Sequence, residues 1–454
     1  MKQIKTLLVL LLSMFVAGCS SSTQDSTSAN SQTVSTAEWS KNATIYELNI
    51  RQFSEEGTFN AIVDRLDELK AMNVEIIWLM PIHPIGEKNR KGELGSYYAV
   101  KDYLDVNPEF GTKADFRNLV EEIHNRDMKV IIDWVANHTA WDNPLTEEHP
   151  EWYTKDEEGN FVPPVEDWSD VIDLNYDNSE LRSYMTDALK FWVEEFDIDG
   201  YRCDVASMVP TDYWNSARKE LDEIKPVFML AEAEEPELNE KAFDMYYGWT
   251  FHHILNEVAQ GEQNADSLHA EVTRLEKAFP DGSYPMNFIS NHDENTWNGT
   301  VWERMGAASY PLSVLTATLP GMPLLYNGQE AGMDKRLDFF DKDPIEWSEH
   351  DMREHYSKLF ELKQNNPALQ HGKNGGAYER ISTSVDEDVY AFIRTNGIKQ
   401  VFVIVNLSDQ KQRFTIESTK VNGEFESLFD GDYITFDRFI EVEIDSWGYK
   451  VYHK

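Results

Sequence analysis

Four short apolar runs in this chain end in clusters of charged or hydrogen-bonding residues: 129–138 (KVIIDWVANH), 200–206 (GYRCDVA), 226–234 (PVFMLAEAE) and 286–295 (MNFISNHDEN). Strands covered on both faces read as continuous apolar runs, which is the pattern of parallel sheet. Barrel enzymes carry their chemical groups at the carboxyl ends of such strands, because the loops there share one face. Strands are expected at 130–134, 200–205, 227–231 and 288–290 within these runs, and at 44–48, 74–80 and 323–326 outside them. A less visible strand falls near 243–246. Amphipathic stretches alternate with them, among them 59–72 behind Thr58, 113–127 behind Thr112 and a run starting at Ser179. The expectation is an α/β fold, a (β/α)8 TIM barrel over residues 41–371, with a short loop-rich excursion at 139–178 after the third strand.

From about residue 372 the rhythm becomes that of short alternating strands, as in VYAFIRTNGIKQVFVIVNLSD, with Thr395-Asn396-Gly397 as a hairpin signal. Residues 372–454 are therefore expected to form a C-terminal antiparallel β-sandwich. At the other end, Lys2 and Lys5 precede an apolar run over 7–15, shorter than the about 20 residues that span a bilayer. It reads as a secretory signal, 1–18. The run ends in Val16-Ala17-Gly18-Cys19, which resembles a bacterial lipoprotein processing box; an ordinary signal with a chance cysteine is the alternative. Lipid on Cys19 would make the membrane a partner and the product a cell-envelope lipoprotein, facing the periplasm or the exterior. Residues 19–40, rich in Ser and Thr, read as a tether without a core of its own.

The chain has 454 residues, 41% of them hydrophobic, which is ample for a barrel and a sandwich. With only two cysteines, Cys203 has no partner if Cys19 is lipidated, so disulfides do not hold this fold. A formal net charge of -40 excludes ordinary nucleic-acid binding, which needs a basic surface.

In a strand over 200–205, Arg202 and Asp204 point to one face and Cys203 to the other. The plainest reading is an ion pair that orders a strand end. The chemical reading is a carboxylate kept ionised by its arginine and so able to attack as an anion. Glu232 follows the apolar run 227–231 and has no cation nearby in the sequence, so burial is expected to keep it protonated. A retaining glycosidase needs one carboxyl group of each kind. Asp293 supplies a third carboxylate. His138 and His292 each follow an asparagine at a strand end, and no closely spaced His or Cys cluster suggests zinc.

Taken in order and spacing, the four segments resemble the four short conserved regions of the alpha-amylase family, glycoside hydrolase family thirteen, and the likeness runs from about Ile45 to the C-terminus. The resemblance implies Asp204 as nucleophile, Glu232 as general acid and base, and Asp293 as the third carboxylate. It implies that His138 and His292 hold sugar hydroxyls, that Arg202 supports the nucleophile, and that Tyr98 in SYYAVKDY is the platform beneath the sugar. The chain departs from the family at Ser207-Met208, where many relatives carry Lys-His. That leaves in doubt a leaving-group contact and a calcium ligand. Asn137 keeps the position of one family calcium ligand, which leaves a structural calcium open without predicting it; no cofactor is required for the chemistry. The excursion after strand three is short, and one or two of Trp141, Trp152 and Trp168 are expected to touch sugar.

The implied activity is retaining hydrolysis of alpha-1,4-glucosidic bonds in starch-like glucans or maltooligosaccharides. Transglycosylation by the same carboxylates, and a cyclomaltodextrinase or neopullulanase activity, are alternatives within the family. Cyclodextrin-preferring members often carry an extra N-terminal sandwich, for which there is no room between Cys19 and Ile45. A non-catalytic envelope glucan-binding protein is the alternative outside the enzymes.

Overall fold

The computed structural model describes residues 37–454. The signal sequence, Cys19 and the tether up to residue 36 lie outside the described residues. Residues 37–40, expected at the end of the tether, are instead part of the barrel's base. They enter a 3-10 turn, Glu38–Asn42, in which Ser40 hydrogen-bonds the Tyr284 hydroxyl at 3.0 Å and Trp39 packs on Phe228. The apolar and aromatic side chains at 37 and 39 outweigh the polar composition that surrounds them.

Strands β1 (Ile45–Leu48), β2 (Ile76–Leu79), β3 (Lys129–Trp134), β4 (His138–Ala140), β5 (Val171–Asp173), β6 (Gly200–Cys203), β7 (Phe228–Ala231), β8 (Met245–Tyr247), β9 (Tyr284–Asn287) and β10 (Met322–Tyr326) make up the first part of the chain. All but β4 and β5 close into one parallel barrel in the order β1-β10-β9-β8-β7-β6-β3-β2. β4 and β5 pair antiparallel in the excursion after β3, with His138 opposite Asp173. The seventh barrel strand lies at Tyr284–Asn287, not at 288–290. Its register with β10 ends at Asn287 opposite Pro323. The apolar pair Phe288-Ile289 follows the strand, and Phe288 packs with the barrel interior.

The amphipathic stretch at 59–72 is broken into two helices, Phe59–Val63 and Leu66–Ala71, where Arg65 leaves helical backbone geometry. The helix behind Thr112 runs Lys113–His124 and starts in a full capping box, in which Thr112 and Asp115 each bond the other's backbone N–H. The long helix Ser179–Phe196 is capped by Asn178 and ends where Asp197 turns left-handed.

Alternation within the barrel strands sorts side chains inward and outward. Ile45, Ile76, Trp78, Ile131, Phe228, Leu230, Met286 and Leu324 fill the interior, while Tyr201 and Cys203 face the helices. Gly200 is required by closeness: a Cβ there would lie 1.9 Å from the Phe228 carbonyl oxygen, so β6 and β7 meet without a side chain between them.

The C-terminal strands are β11 (Ala377–Arg380), β12 (Val389–Asn396), β13 (Lys399–Asn406), β14 (Gln412–Glu417), β15 (Gly423–Ser427), β16 (Tyr433–Phe436), β17 (Phe439–Ile444) and β18 (Tyr449–His453). Six form an antiparallel sheet, β11-β12-β13-β18-β15-β16, and β14 pairs with β17 in a second, smaller one. Gly397 and Ile398 make the two-residue turn between β12 and β13, as the sequence signals. One face of the large sheet, with Ala391, Ile393, Phe402 and Ile404, meets Phe414, Ile416, Val442 and Ile444 of the small one. The other face, with Tyr390, Phe392, Val401 and Val403, joins the barrel's outer core.

Candidate active site

The polar layer that caps the barrel interior is built around Arg202. It is fully buried, because its strand position points inward and the layer of Trp78, Tyr98 and Tyr247 rings surrounds its guanidinium. Nη1 donates to Asp133 Oδ1 at 2.9 Å and to Asp204 Oδ1 at 3.0 Å, and Nη2 stands 2.8 Å from Glu232 Oε2. The Nη2 contact lies off the hydrogen-bonding direction, so it is electrostatic in character. One guanidinium therefore gathers three carboxylates from β3, the end of β6 and the end of β7. Glu232 Oε2 also accepts the Val205 N–H at 2.7 Å, which locks it beside the residue that follows Asp204. Val205 pays for this with a positive φ of 36°.

Asp293 follows β9, and its Oδ2 lies 3.4 Å from His292 Nε2; its charge is close enough to raise the proton affinity of both Asp204 and Glu232. His292 Nδ1 contacts Glu47 Oε1 of β1 at 2.5 Å, and its Nε2 meets the Tyr98 hydroxyl at 2.8 Å. Tyr98 also donates to Asp133 Oδ2 at 3.2 Å and lies nearly parallel to Phe339. His138 is buried at the start of β4 with its ring edge-on to Trp168.

The charges do not fall as the sequence alone suggested. Burial is the largest influence on Asp204 and pushes it up to about 6, even though Arg202 pulls it down. The expectation of a lowered nucleophile carboxyl overlooked how completely the strand end is desolvated. Burial likewise carries Glu232 up to about 7, against the opposing pull of Arg202. The expectation that Glu232 lacks a close cation is corrected by that contact, since the arginine reaches across from the neighbouring strand. Burial also raises Asp133, to about 6. His138 is held neutral by burial, with its pKa lowered to about 3. Burial works against charge on His292 too, but Asp293 and Glu47 outweigh it and raise His292 to about 9.

These groups open on a cleft of about 480 Å³ lined by Tyr98, His138, Asp204, Glu232, His292 and Asp293. All seven residues singled out from the sequence are thus gathered at one end of the barrel, six on the cleft wall and Arg202 beneath them. Of the three tryptophans, only Trp168 lines it. Trp141 donates its indole N–H to the Ser169 carbonyl, and Trp152 is buried in a parallel stack on His149. Sequence reasoning missed Glu47 and Asp133, although a carboxylate inside an apolar strand is itself a signal, since buried charge persists only when paired. It also missed Lys91, Phe339 and Phe340, which line the cleft from irregular loops, and Trp297, which lines it from the π-helical turn Glu294–Asn298.

Asn137 is engaged by its neighbours. Its carbonyl accepts the Leu174 N–H and its amide group faces His138 Nδ1 at 3.4 Å. Among the described residues no group of three or more His, Cys, Asp or Glu is arranged to hold a metal. Calcium takes six to eight oxygens, more than Asn137 alone can offer.

A parallel (β/α)8 barrel whose strand ends bring an arginine-bound aspartate, a glutamate and a second aspartate to one cleft is the framework of a glycoside hydrolase. The chain belongs to the alpha-amylase family: the model described as alpha amylase, catalytic domain, matches residues 20–168 and 146–374. It is 28% identical over 390 residues to alpha-amylase MalA of Haloarcula japonica, covering 82% of this chain but only 56% of that protein. It is also 28% identical over 462 residues to alpha-amylase 3 of Dictyoglomus thermophilum, covering 84% of this chain and 87% of that one. Among solved structures it resembles a maltogenic alpha-amylase, AmyB, from Thermotoga neapolitana, with a TM-score of 0.83, 30% identity, and coverage of 91% of this chain and 98% of that one. An alpha-amylase from Lactobacillus plantarum gives a TM-score of 0.82 and 31% identity, covering 91% and 99%.

Proposed function

We propose that the protein hydrolyses alpha-1,4-glucosidic bonds of starch-like glucans and maltooligosaccharides with retention of configuration. The observation that carries this is the convergence of Asp204 and Glu232 on the single guanidinium of Arg202. Arg202 occupies Oδ1 of Asp204, so Oδ2 is the oxygen presented to the anomeric carbon. As Oδ2 forms its bond to that carbon, the glycosidic C–O bond breaks and Glu232 passes its proton to the departing oxygen. Water then attacks the same carbon, Glu232 takes a proton from it, and the bond to Asp204 breaks. Burial carries Glu232 up to about 7, which keeps a proton available on the acid near neutral pH.

Asp293 and His292 hold hydroxyls of the sugar at the point of cleavage above the ring of Tyr98, and Asp293 stabilises positive charge developing on its ring carbon. Trp297, 53% exposed and leaning on Phe339 and Phe340, offers a flat apolar face for a neighbouring sugar. The Val16-Ala17-Gly18-Cys19 sequence supports tethering of this domain to the cell envelope through lipid on Cys19. The experiment is reducing-end release from maltoheptaose and amylose, with proton NMR of fresh product. The α-anomer should appear first; a first product in the β form would refute retention, and the absence of any release would refute the activity.

A further inference from the structure

We propose that Lys91 latches one end of the cleft shut, so that the protein takes glucan chains from their non-reducing ends and releases short products. This deepens the reading above and rests on it. Glu232 protonates the leaving oxygen, so the departing part of the chain lies on its side of the barrel, over β6 and β7. The sugar held by Tyr98, His292 and Asp293 therefore extends the other way, toward the loops that follow β2 and β10. Those loops are joined there into a continuous rim.

The β2 loop is fastened at both sides. On one side Lys91 Nζ pairs with Asp170 at 3.0 Å and donates to the Asp167 carbonyl at 2.7 Å, which ties it to the excursion between β4 and β5. Asp170 is 5% exposed, so the ion pair seals a buried carboxylate rather than decorating a surface. On the other side Leu94 N–H donates to the Phe340 carbonyl at 3.0 Å and Glu93 N–H to Asp341 Oδ1 at 2.6 Å. Gly92 has a φ of +65°, and a Cβ there would fall 2.4 Å from Phe340 Cβ, so the two loops touch where only glycine fits. Beneath this junction the buried Arg51 donates to the Gly95 carbonyl at 3.0 Å and the Phe339 carbonyl at 3.4 Å. Lys91, Asp167, Asp170 and Phe340 all line the same cleft as the carboxylates. A cleft of about 480 Å³ walled in this way has room for a ligand of small-molecule size. The joined loops wall it on the donor side.

The test is the product spectrum from amylose and from maltoheptaose labelled at its reducing end, read in the first few per cent of conversion. The expected result is glucose and maltose as the unlabelled products, with iodine staining of amylose falling slowly for each reducing end formed. Lys91→Ala, which frees the rim, should shift early products to longer oligosaccharides and raise the loss of iodine staining per reducing end several-fold; Lys91→Arg, which can keep the ion pair, should remain close to the parent. Early release of maltotetraose and longer chains by the parent protein would overturn the closed end while leaving retaining hydrolysis intact. A Lys91→Ala spectrum equal to that of the parent would overturn the latch. Failure to cleave any alpha-glucan would remove the glycosidase reading and this inference with it.

Discussion

At the level of single residues, the account stands on Asp204. Asp204→Asn keeps the side chain's size and removes the attacking oxygen's charge, so kcat on maltoheptaose should fall by roughly 10⁴-fold or more, with the thermal transition close to the parent's. Trp297 offers a different kind of check. Its face is exposed and carries no group that reacts, so Trp297→Ala should raise KM for maltooligosaccharides several-fold and change kcat less. A fall in kcat with KM unchanged would mean instead that the ring acts only in the transition state. Tyr98 came from the family resemblance alone, whereas the other six residues of the site were legible in the sequence because they lie at or just beyond the ends of apolar runs. Their charge states were not, since burial comes from neighbours that no local pattern reveals: Trp78, Tyr98 and Tyr247 close over Arg202 from three different strands and loops.

Among elements, the informative unit is the register between β3, β6 and β7. Asp133 lies opposite Arg202, and Arg202 opposite Leu230, which sets Asp133, Asp204 and Glu232 around one cation. Removing that cation with Arg202→Met would leave three buried carboxylates uncompensated, and a loss of about 3–5 kcal/mol is expected from such an unpaired site. Chemical denaturation read by tryptophan fluorescence would measure it. The same groups set the pH profile. The working form has Asp204 ionised and Glu232 protonated, so kcat/KM should rise as pH passes about 6 and decline beyond about 7. The limbs belong to the coupled set of Asp133, Asp204 and Glu232 rather than to one residue each. His292 acts on stability in a separate window. Its pKa is raised on folding to about 9, so its contribution is fully present below its ordinary 6.5 and is lost as pH climbs through 9. Strand positions were largely visible in the sequence. The seventh was displaced because Tyr284–Asn287 carries a proline and little apolar continuity, whereas the loop after it carries Phe288-Ile289.

Over the whole molecule, the barrel and the C-terminal sheets follow from two periodicities that change near residue 372, and both were readable. The rim that closes the cleft was not, because it is made by Lys91, Asp170 and Phe340 from three separate loops and depends on contacts far apart in the chain. The net charge of -40 spreads repulsion over the surface. Added salt at neutral pH should therefore raise the melting temperature, steeply at low ionic strength and less beyond about 0.15 M, where the screening length falls to about 8 Å. A melting temperature unmoved by salt would show that surface pairs already balance that charge.

Asp204 bonds to the sugar while Glu232 moves the proton. A fluorinated maltosyl fluoride slows release of the intermediate, and mass spectrometry of the digested protein then locates the attached sugar. The account requires the adduct on the peptide that holds Asp204; an adduct on Glu232 or Asp293, or none under conditions where hydrolysis proceeds, would contradict it.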